Sequence, residues 1–204
     1  MTLPHAVILA GGRGERLGGV RKADLRIGGI RLLDRVAAAL GPVAQPLLVS
    51  TGPDGYRFKL PDGALAVPDL PLPHAGPLAG LAAAVASLRT SGVVEGILVS
   101  VAVDTPFLPS RFAETMAQSS EGASACYAAH GENFYPTNAA WSLATIADLP
   151  ERLAASTAPP GPRALLAELG AKCCDWVQQS AVDPFTNLNT LVDLTALQGR
   201  ANSR

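Results

Sequence analysis

Short apolar runs alternate with stretches of helical periodicity along most of the chain. The apolar runs predict buried strands at His5–Ala10, Pro46–Thr51, Ala64–Val67, Gly96–Val103, Ala123–Ala128, Thr137–Trp141 and Lys172–Val177. The periodic stretches predict helices at Leu32–Leu40, Pro77–Leu88, Pro109–Gln118, Arg163–Leu169 and Leu191–Gln198. The run at 96–103 is the most continuous, so we expect this strand near the centre of a sheet. A polar loop is expected at His130–Pro136.

This alternation predicts the fold class. Near-continuous apolar strands separated by helices are typical of a mostly parallel, doubly wound α/β sheet. The strongest breaker is Pro159–Pro162, but too little sequence follows it to form an independent core, so we treat it as a loop. We therefore predict a single Rossmann-like three-layer domain that spans residues 1–204.

The composition excludes several classes of protein. Of the 204 residues, 48% are hydrophobic and 16% are charged, which excludes disorder as the main state. No apolar run reaches the roughly 18–20 residues of a membrane span, and the apolar segment at 1–10 lacks the preceding basic residue of a secretory signal. The three cysteines, two of them adjacent, match neither a complete disulfide framework nor a common zinc spacing. We expect a cytoplasmic protein with reduced thiols.

Basic residues are concentrated near the amino end, although the whole chain has a net charge of −1. Residues 13–35 hold seven basic and three acidic side chains, a local net charge of +4. Without a strong overall field, neither nucleic acid nor a membrane surface is an expected partner. The local cluster indicates either a site for a small anionic ligand or a solvated basic face.

Glycine and acidic residues follow the predicted strands at the end where doubly wound sheets bind ligands. Gly11–Gly19 follows the first strand, Asp69 the third and Asp104 the fourth. Five of the nine residues in Gly11–Gly19 are glycine, so backbone amides can approach phosphate oxygens, and arginines in the same loop supply charged donors. The spacing matches neither the dinucleotide fingerprint, whose last glycine is replaced by Leu17, nor the P-loop. The segment indicates a phosphate-binding loop, with a flexible turn as the alternative.

Five motifs, in order along the chain, resemble those of one family. The segment Leu9–Lys22, which reads LAGG-x-x-x-R-L-G-G-x-x-K, resembles the opening of the nucleotidyltransferases that act on sugar phosphates and on molybdopterin. The others are Gly76–Gly80 (GPLAG), Asp104–Pro109 (DTPFLP), Tyr135–Thr137 (YPT) and Phe185–Thr190 (FTNLNT). The doubled glycine before Lys22 is most similar to the motif of the molybdenum cofactor guanylyltransferases. The resemblance covers nearly the whole chain.

The resemblance implies a reaction. In it, GMP is transferred from GTP to the phosphate of molybdopterin and pyrophosphate is released. The protein's part in such a reaction is to position the substrates and to neutralise charge. The resemblance also implies Mg²⁺ as the cofactor, and a cofactor-delivery protein or a molybdoenzyme as the partner that receives the product.

The implied site residues fall into three groups. The nucleotide-binding group is Leu9, Ala10, Gly11, Gly12, Gly14, Lys22, Ser50, Asp69 and Asp104. The catalytic group is Arg16, Lys22 and Asp104, and the candidates for binding the second substrate are Asn187, Asn189 and Arg163. Asp104 is the predicted Mg²⁺ ligand, because Mg²⁺ binds oxygen donors such as one or two carboxylates together with substrate phosphates.

Several of these residues have plainer interpretations. Aspartate is common in turns, so a turn is the alternative role for Asp69 and for Asp104. Asn187 and Asn189 would share one face of an extended segment, but they are equally suited to a turn or a helix cap. The three histidines, His5, His74 and His130, stand at no metal-ligand spacing, and Trp141 and Trp176 are expected in the core.

Three positions depart from the family pattern. Arg21 stands where the guanylyltransferases usually have aspartate, Tyr135 where they have histidine, and Ser50 where they have asparagine. These departures keep two alternatives open. One is a related transferase that uses CTP or a sugar 1-phosphate, and the other is a nucleotide-binding accessory protein without turnover.

Overall fold

A computed structural model describes residues 2–11, 20–52, 59–70 and 76–202. The strands in these ranges are β1 (His5–Leu9), β2 (Arg26–Ile27), β3 (Ile30–Arg31), β4 (Leu47–Ser50), β5 (Ala64–Val67), β6 (Ile97–Ala102), β7 (Ala125–His130), β8 (Asn133–Ser142) and β9 (Lys172–Asp175). The helices are α1 (Leu32–Leu40), α2 (Pro77–Thr90), α3 (Phe112–Ser119), α4 (Leu149–Ala154), α5 (Pro162–Glu168) and α6 (Leu191–Asn202), with a short 3₁₀ turn at Lys22–Asp24.

A seven-stranded sheet organises the described residues, in the order β5-β4-β1-β6-β8-β7-β9. Strands β5, β4, β1 and β6 are parallel, β8 runs antiparallel to both of its neighbours, and β9 is parallel to β7. The mostly parallel α/β fold predicted from the apolar pattern is therefore confirmed. The most continuous apolar run, β6, lies in the middle of the sheet, as predicted.

Helices cover both faces of the sheet, because each face carries its own apolar side chains. On one face, α1, α3 and α6 pack over residues such as Ile8, Val101 and Cys126. On the other face, α2, α4 and α5 pack over residues that include Val7 and Trp141. Trp141 and Trp176 are both buried, as predicted. Within the described ranges, no helix combines the length and the apolar character needed to cross a membrane.

Local chemistry explains where individual helices begin and end. In α1 the buried residues are Leu32, Leu33, Val36 and Leu40, the spacing of one helical face, and the helix ends at Gly41 with a φ of 76°. Proline occupies the first turn of α2, where its missing N–H costs nothing. Both helices were predicted from these signals.

The prediction of a polar loop at His130–Pro136 was wrong. Most of this segment belongs to a β-hairpin, in which β7 ends at His130, the chain turns through Gly131 with a φ of 59°, and β8 begins at Asn133. Tyr127 of β7 pairs with Ala139 of β8, but the next residue, Ala128, pairs with Tyr135, so the register shifts at this point. This irregularity breaks the alternation of apolar and polar residues, so the first half of β8 was not recognisable by its period, whereas the second half was predicted at Thr137–Trp141. The small hairpin β2–β3 and helix α4 were also not predicted.

Candidate functional site

The carboxyl ends of β1, β4, β5 and β6 meet at one edge of the sheet, beside a cavity of about 560 Å³. Seven of the predicted site residues line this cavity: Leu9, Gly11, Lys22, Ser50, Asp69, Asp104 and Asn187. The rest of the lining consists of Gly76, Pro77, Gly80, Ala102, Val103 and Thr137. Gly12, Gly14 and Arg16 lie outside the described residues, as does His74.

A charged pair stands at the β6 end of the cavity. The ammonium nitrogen of Lys22 donates hydrogen bonds of 2.6 Å to Asp104 Oδ2 and 2.6 Å to Asn189 Oδ1. The side chains of Lys22 and Asp104 are only 17% and 16% exposed. The backbone N–H of Leu188 also donates to the carbonyl oxygen of Asp104 at 2.9 Å. Segments more than 80 residues apart are thus joined at one point.

Two buried oxygens near this pair have no hydrogen-bond partner within the described part of the chain. They are Asp104 Oδ1 and Asn187 Oδ1, and both residues line the cavity. A carboxylate oxygen and an amide oxygen are donors that suit a hard cation such as Mg²⁺. The described ranges hold no cluster of three or more His, Cys, Asp or Glu residues that would form a complete protein metal cage. The donor set therefore fits an ion that takes its other ligands from phosphates and water.

A second carboxylate lies at the β4–β5 side of the cavity. Asp69 accepts a 2.6 Å hydrogen bond from the Ser50 hydroxyl, and its backbone N–H donates to Gly52 O. Burial raises the pKa of Asp69, and the hydrogen bonds that its carboxylate accepts from Ser50 and Gly52 oppose this change only in part. Asp69 is therefore a half-buried acceptor that faces the cavity rather than only a residue of a turn.

Glycines let the backbone come close around this acceptor. A Cβ on Gly11 would lie 2.5 Å from Gly52 Cα, and Gly52 itself has a φ of 82°. A Cβ on Gly80 would lie 2.6 Å from Ser50 Oγ. Gly80 belongs to the GPLAG motif, whereas Gly52 carried no signal in the sequence. Gly80 lines the cavity, and Gly52 allows the close approach of its backbone to Gly11, which also lines it; the sequence analysis missed both contacts.

The remaining predicted residues lie outside the cavity lining. Ala10 is buried, and its N–H donates to Ser50 O at 3.0 Å. Arg163 is exposed in the first turn of α5, where its guanidinium lies 5.1 Å from the centre of the Phe134 ring. The helix-capping role considered for Asn189 is filled instead by Thr190, whose hydroxyl accepts a hydrogen bond from the N–H of Asp193.

The basic cluster of the amino-terminal region is mostly engaged locally. Arg31 pairs with Asp34 at 2.6 Å, and Arg35 donates to Ile27 O at 2.9 Å. Of the basic residues described within 13–35, Lys22 is the one that lines the cavity. Among the described basic residues of this segment, the position of Lys22 is therefore a better indicator of the ligand than the local charge; Arg13 and Arg16 lie outside the described residues.

Tyr135, which departs from the family pattern, has a partner that the sequence analysis missed. Its hydroxyl donates to Asp183 Oδ2 at 2.5 Å, and Asn133 Nδ2 donates to the same oxygen at 2.9 Å. Burial, followed by this hydrogen bond to a carboxylate, raises the pKa of Tyr135. The pair connects the β7–β8 hairpin to the segment that leads to Asn187.

Comparison with known proteins identifies the class. The model of the MobA-like NTP transferase domain matches residues 6–173. The chain therefore belongs to the MobA-like NTP transferase family and is a nucleotidyltransferase. It is 36% identical over 189 residues to the molybdenum cofactor guanylyltransferase of Cereibacter sphaeroides, with 92% of each chain covered. It is 35% identical over 194 residues to the protein of the same name from Acidiphilium cryptum, covering 95% of this chain and 93% of that protein.

Solved structures share the fold. Molybdopterin-guanine dinucleotide biosynthesis protein A from Archaeoglobus fulgidus superposes with a TM-score of 0.73 at 21% identity, covering 98% of this chain and all of that one. The 2-C-methyl-D-erythritol 4-phosphate cytidylyltransferase of Thermus thermophilus superposes with a TM-score of 0.70 at 17% identity, covering 99% of this chain and 100% of that one. At these identities the likeness establishes the architecture alone. The fold is common to proteins named for different nucleotides, so base preference has to be argued from the cavity.

Proposed function

We propose that this chain transfers GMP from GTP to the phosphate of molybdopterin, with release of pyrophosphate. The observation that carries the proposal is the arrangement of one cavity, with the Lys22–Asp104 pair at one end and the Asp69 carboxylate at the other. Such a cavity offers a charged end to a triphosphate and an acceptor end to a base. The curated relatives named for guanylyl transfer support the same reaction.

The acceptor end favours guanine. An ionised carboxylate accepts hydrogen bonds through two oxygens, and guanine presents two adjacent N–H donors on its Watson–Crick edge. Cytosine presents one amino donor beside a ring nitrogen that is itself an acceptor, so the second carboxylate oxygen would face a lone pair. The Ser50 hydroxyl donates to Asp69 Oδ1 and orients the group. This arrangement argues against the alternative that the enzyme uses CTP.

The charged end suits the transfer step. A phosphate oxygen of molybdopterin forms a bond to the α-phosphorus of GTP, and the bond from that phosphorus to the pyrophosphate oxygen breaks. The nucleophile is already an anion, so no protein base is required. Lys22, with Arg16 and the backbone amides of Gly11, Gly12 and Gly14, would neutralise the negative charge that the triphosphate carries and the pyrophosphate takes with it.

Mg²⁺ belongs to the proposal through Asp104. The unpartnered Oδ1 of Asp104 would bind the ion, and Asn187 Oδ1 is the nearby amide oxygen available to it or to its water. The ion would supply further neutralisation of the triphosphate. Asn187, Asn189 and Arg163 remain the proposed contacts of the second substrate.

The proposal also covers the domain, the location of the protein and the partner that receives the product. We assign residues 1–204 to one nucleotidyltransferase domain, because the described helices all pack on the two faces of one sheet. A cytoplasmic location is supported by the free thiols of Cys126, Cys173 and Cys174. The partner that receives the product would be a cofactor-delivery protein or a molybdoenzyme.

Calorimetric titration with GTP and CTP, each with and without Mg²⁺, tests the proposal. We expect GTP to bind more tightly than CTP and to bind more tightly still with Mg²⁺. Asp69→Asn, which replaces one acceptor oxygen by a donor, should weaken GTP binding at least tenfold, whereas Asp62→Asn, at an exposed carboxylate, should not. A preference for CTP would overturn the guanylyl assignment. Binding of GTP without pyrophosphate release when molybdopterin is added would favour the accessory-protein alternative.

A further inference from the structure

The irregularity in β8 lies beside the functional site. Tyr127 of β7 pairs with Ala139, but the next residue of β7, Ala128, pairs with Tyr135. Residues 136–138 of β8 therefore have no partner in β7. Bulges next to active sites commonly redirect a side chain, and here Thr137 lines the cavity.

The same bulge ends the pairing of β8 with β6. The last registered pair is Ser100 with Ala139, so the N–H of Ala102 has no β8 carbonyl opposite it. Asn138 Oδ1 accepts that N–H at 2.8 Å, and the Asn138 side chain is fully buried. The Nδ2 atom of Asn138 has no hydrogen-bond partner among the described residues. Within the described part of the chain, the amide oxygen of Asn138 is therefore hydrogen-bonded and its amide nitrogen is not.

A second hydrogen bond holds the end of β6, just before Asp104 of the charged pair. Thr105 is fully buried, and its hydroxyl donates to Ala102 O at 2.7 Å. The two hydrogen bonds hold Ala102 from both sides, at the point where β6 leaves the sheet and Asp104 follows two residues later.

We propose that Asn138 is a positioning residue that, together with Thr105, fixes the end of β6 so that Asp104 presents its unpartnered oxygen to a divalent cation. The inference rests on the proposed function, because it takes Asp104 as the residue that binds Mg²⁺. Asn138 is not among the residues that line the cavity, so it would act through the backbone of Ala102. Residues that orient metal ligands change metal affinity by about 10- to 100-fold when they are replaced.

The test measures how Mg²⁺ concentration affects GTP binding, by calorimetry and without turnover. Asn138→Ala should raise the Mg²⁺ concentration that gives half of the full effect at least tenfold, while GTP affinity without Mg²⁺ stays within about threefold of wild type. Asn138→Asp keeps an acceptor oxygen at the same place and should recover most of the Mg²⁺ response. Thr105→Val, which removes the second hydrogen bond on Ala102, should act in the same direction as Asn138→Ala.

The matched control is Ser120→Ala. Ser120 is also a buried side chain with a 2.7 Å hydrogen bond to a backbone carbonyl, but it lies at the end of α3 and does not line the cavity. An unchanged Mg²⁺ response in Asn138→Ala, or an equal shift in Ser120→Ala, would overturn the inference. If Asn138→Ala does not fold, Thr105→Val decides by the same criterion. Wild-type protein that binds GTP without any Mg²⁺ effect would overturn the proposed metal role and this inference with it.

Discussion

Replacement of Lys22 by methionine tests whether the charged pair is a coupled unit. The substitution keeps an unbranched side chain of similar length and removes the ammonium group that bonds Asp104 Oδ2 and Asn189 Oδ1, each at 2.6 Å. Because Asp104 Oδ1 has no partner among the described residues, the carboxylate would lose the one side-chain hydrogen bond that it makes within them. A largely buried charge would then stand uncompensated.

The burial of the pair sets the expected loss of stability. Exposed ion pairs contribute about 0–1 kcal/mol, and breaking a fully buried pair costs about 3–5 kcal/mol. The side chains of Lys22 and Asp104 are 17% and 16% exposed, which places the pair between these limits. We expect Lys22→Met to destabilise the free protein by about 2 kcal/mol, equivalent to a fall of about 4–8 °C in Tm for a chain of this size.

A double-mutant cycle measured by urea unfolding separates the pair from other effects. Lys22→Met with Asp104→Asn removes both charges, and we expect it to recover more than half of the loss, with a coupling energy of about 1–2 kcal/mol. Lys59→Met, at an exposed lysine, serves as the control for the change of residue type. Additive single effects would refute the coupling. Turnover should fall roughly 10²- to 10³-fold in both variants that lack Lys22. The double variant should therefore regain stability without regaining activity.

Two further predictions concern the base end of the cavity. Gly80→Ala would place a Cβ 2.6 Å from Ser50 Oγ, so Ser50 must shift, and we expect weaker GTP binding in calorimetry together with a lower Tm. Gly199→Ala, in open space on α6, should leave binding unchanged. Because the pKa of Asp69 is raised in the folded protein, its protonation should weaken GTP binding as pH falls through that raised value, and Asp69→Asn should flatten the profile. For the free protein the sign is opposite, since stability from this carboxyl is present at low pH and is lost as pH rises from its ordinary pKa through the raised one. A GTP affinity that rises on acidification would contradict the assigned role.

Much of the fold could be predicted because its core strands are apolar on both faces. In β1 and β6 every residue except the first and the last is buried, and such a run is visible in the sequence without knowledge of its neighbours. The direction of β8 was not visible, since a strand reads the same whichever way it pairs. Its bulge and Pro136 also broke the period on which recognition depends. The two-residue strands of the β2–β3 hairpin are too short to carry a period at all.

The candidate site was predictable where a residue follows a strand. Asp104 follows β6 and Asp69 follows β5 by two residues each, whereas Lys22, 82 residues from Asp104, was predicted from its place in the family motif. Asn138 was not predictable, because its contact exists only where pairing between β6 and β8 stops. The same holds for Gly52, which matters through a backbone approach to Gly11 and not through any chemistry of its own. Sequence reasoning finds the groups that carry charge more readily than those that place them.

The antiparallel direction of β8 brings the β7–β8 hairpin to the edge of the sheet where the cavity lies. Because β8 is antiparallel, its first residues extend past the last pair between β6 and β8, and the β7–β8 turn at Gly131 and Glu132 overhangs the cavity edge of the sheet. Register within the sheet is fixed farther along, at Ser100 and Ala139. The hairpin is tied to the chain that follows it, because Gly131 N–H donates to Asp175 and the side chains of Asn133 and Tyr135 donate to Asp183. A change in the length of the hairpin would therefore act first on the segment that carries Asp183 and leads to Asn187, whereas Asp69 follows β5 at the opposite edge of the sheet.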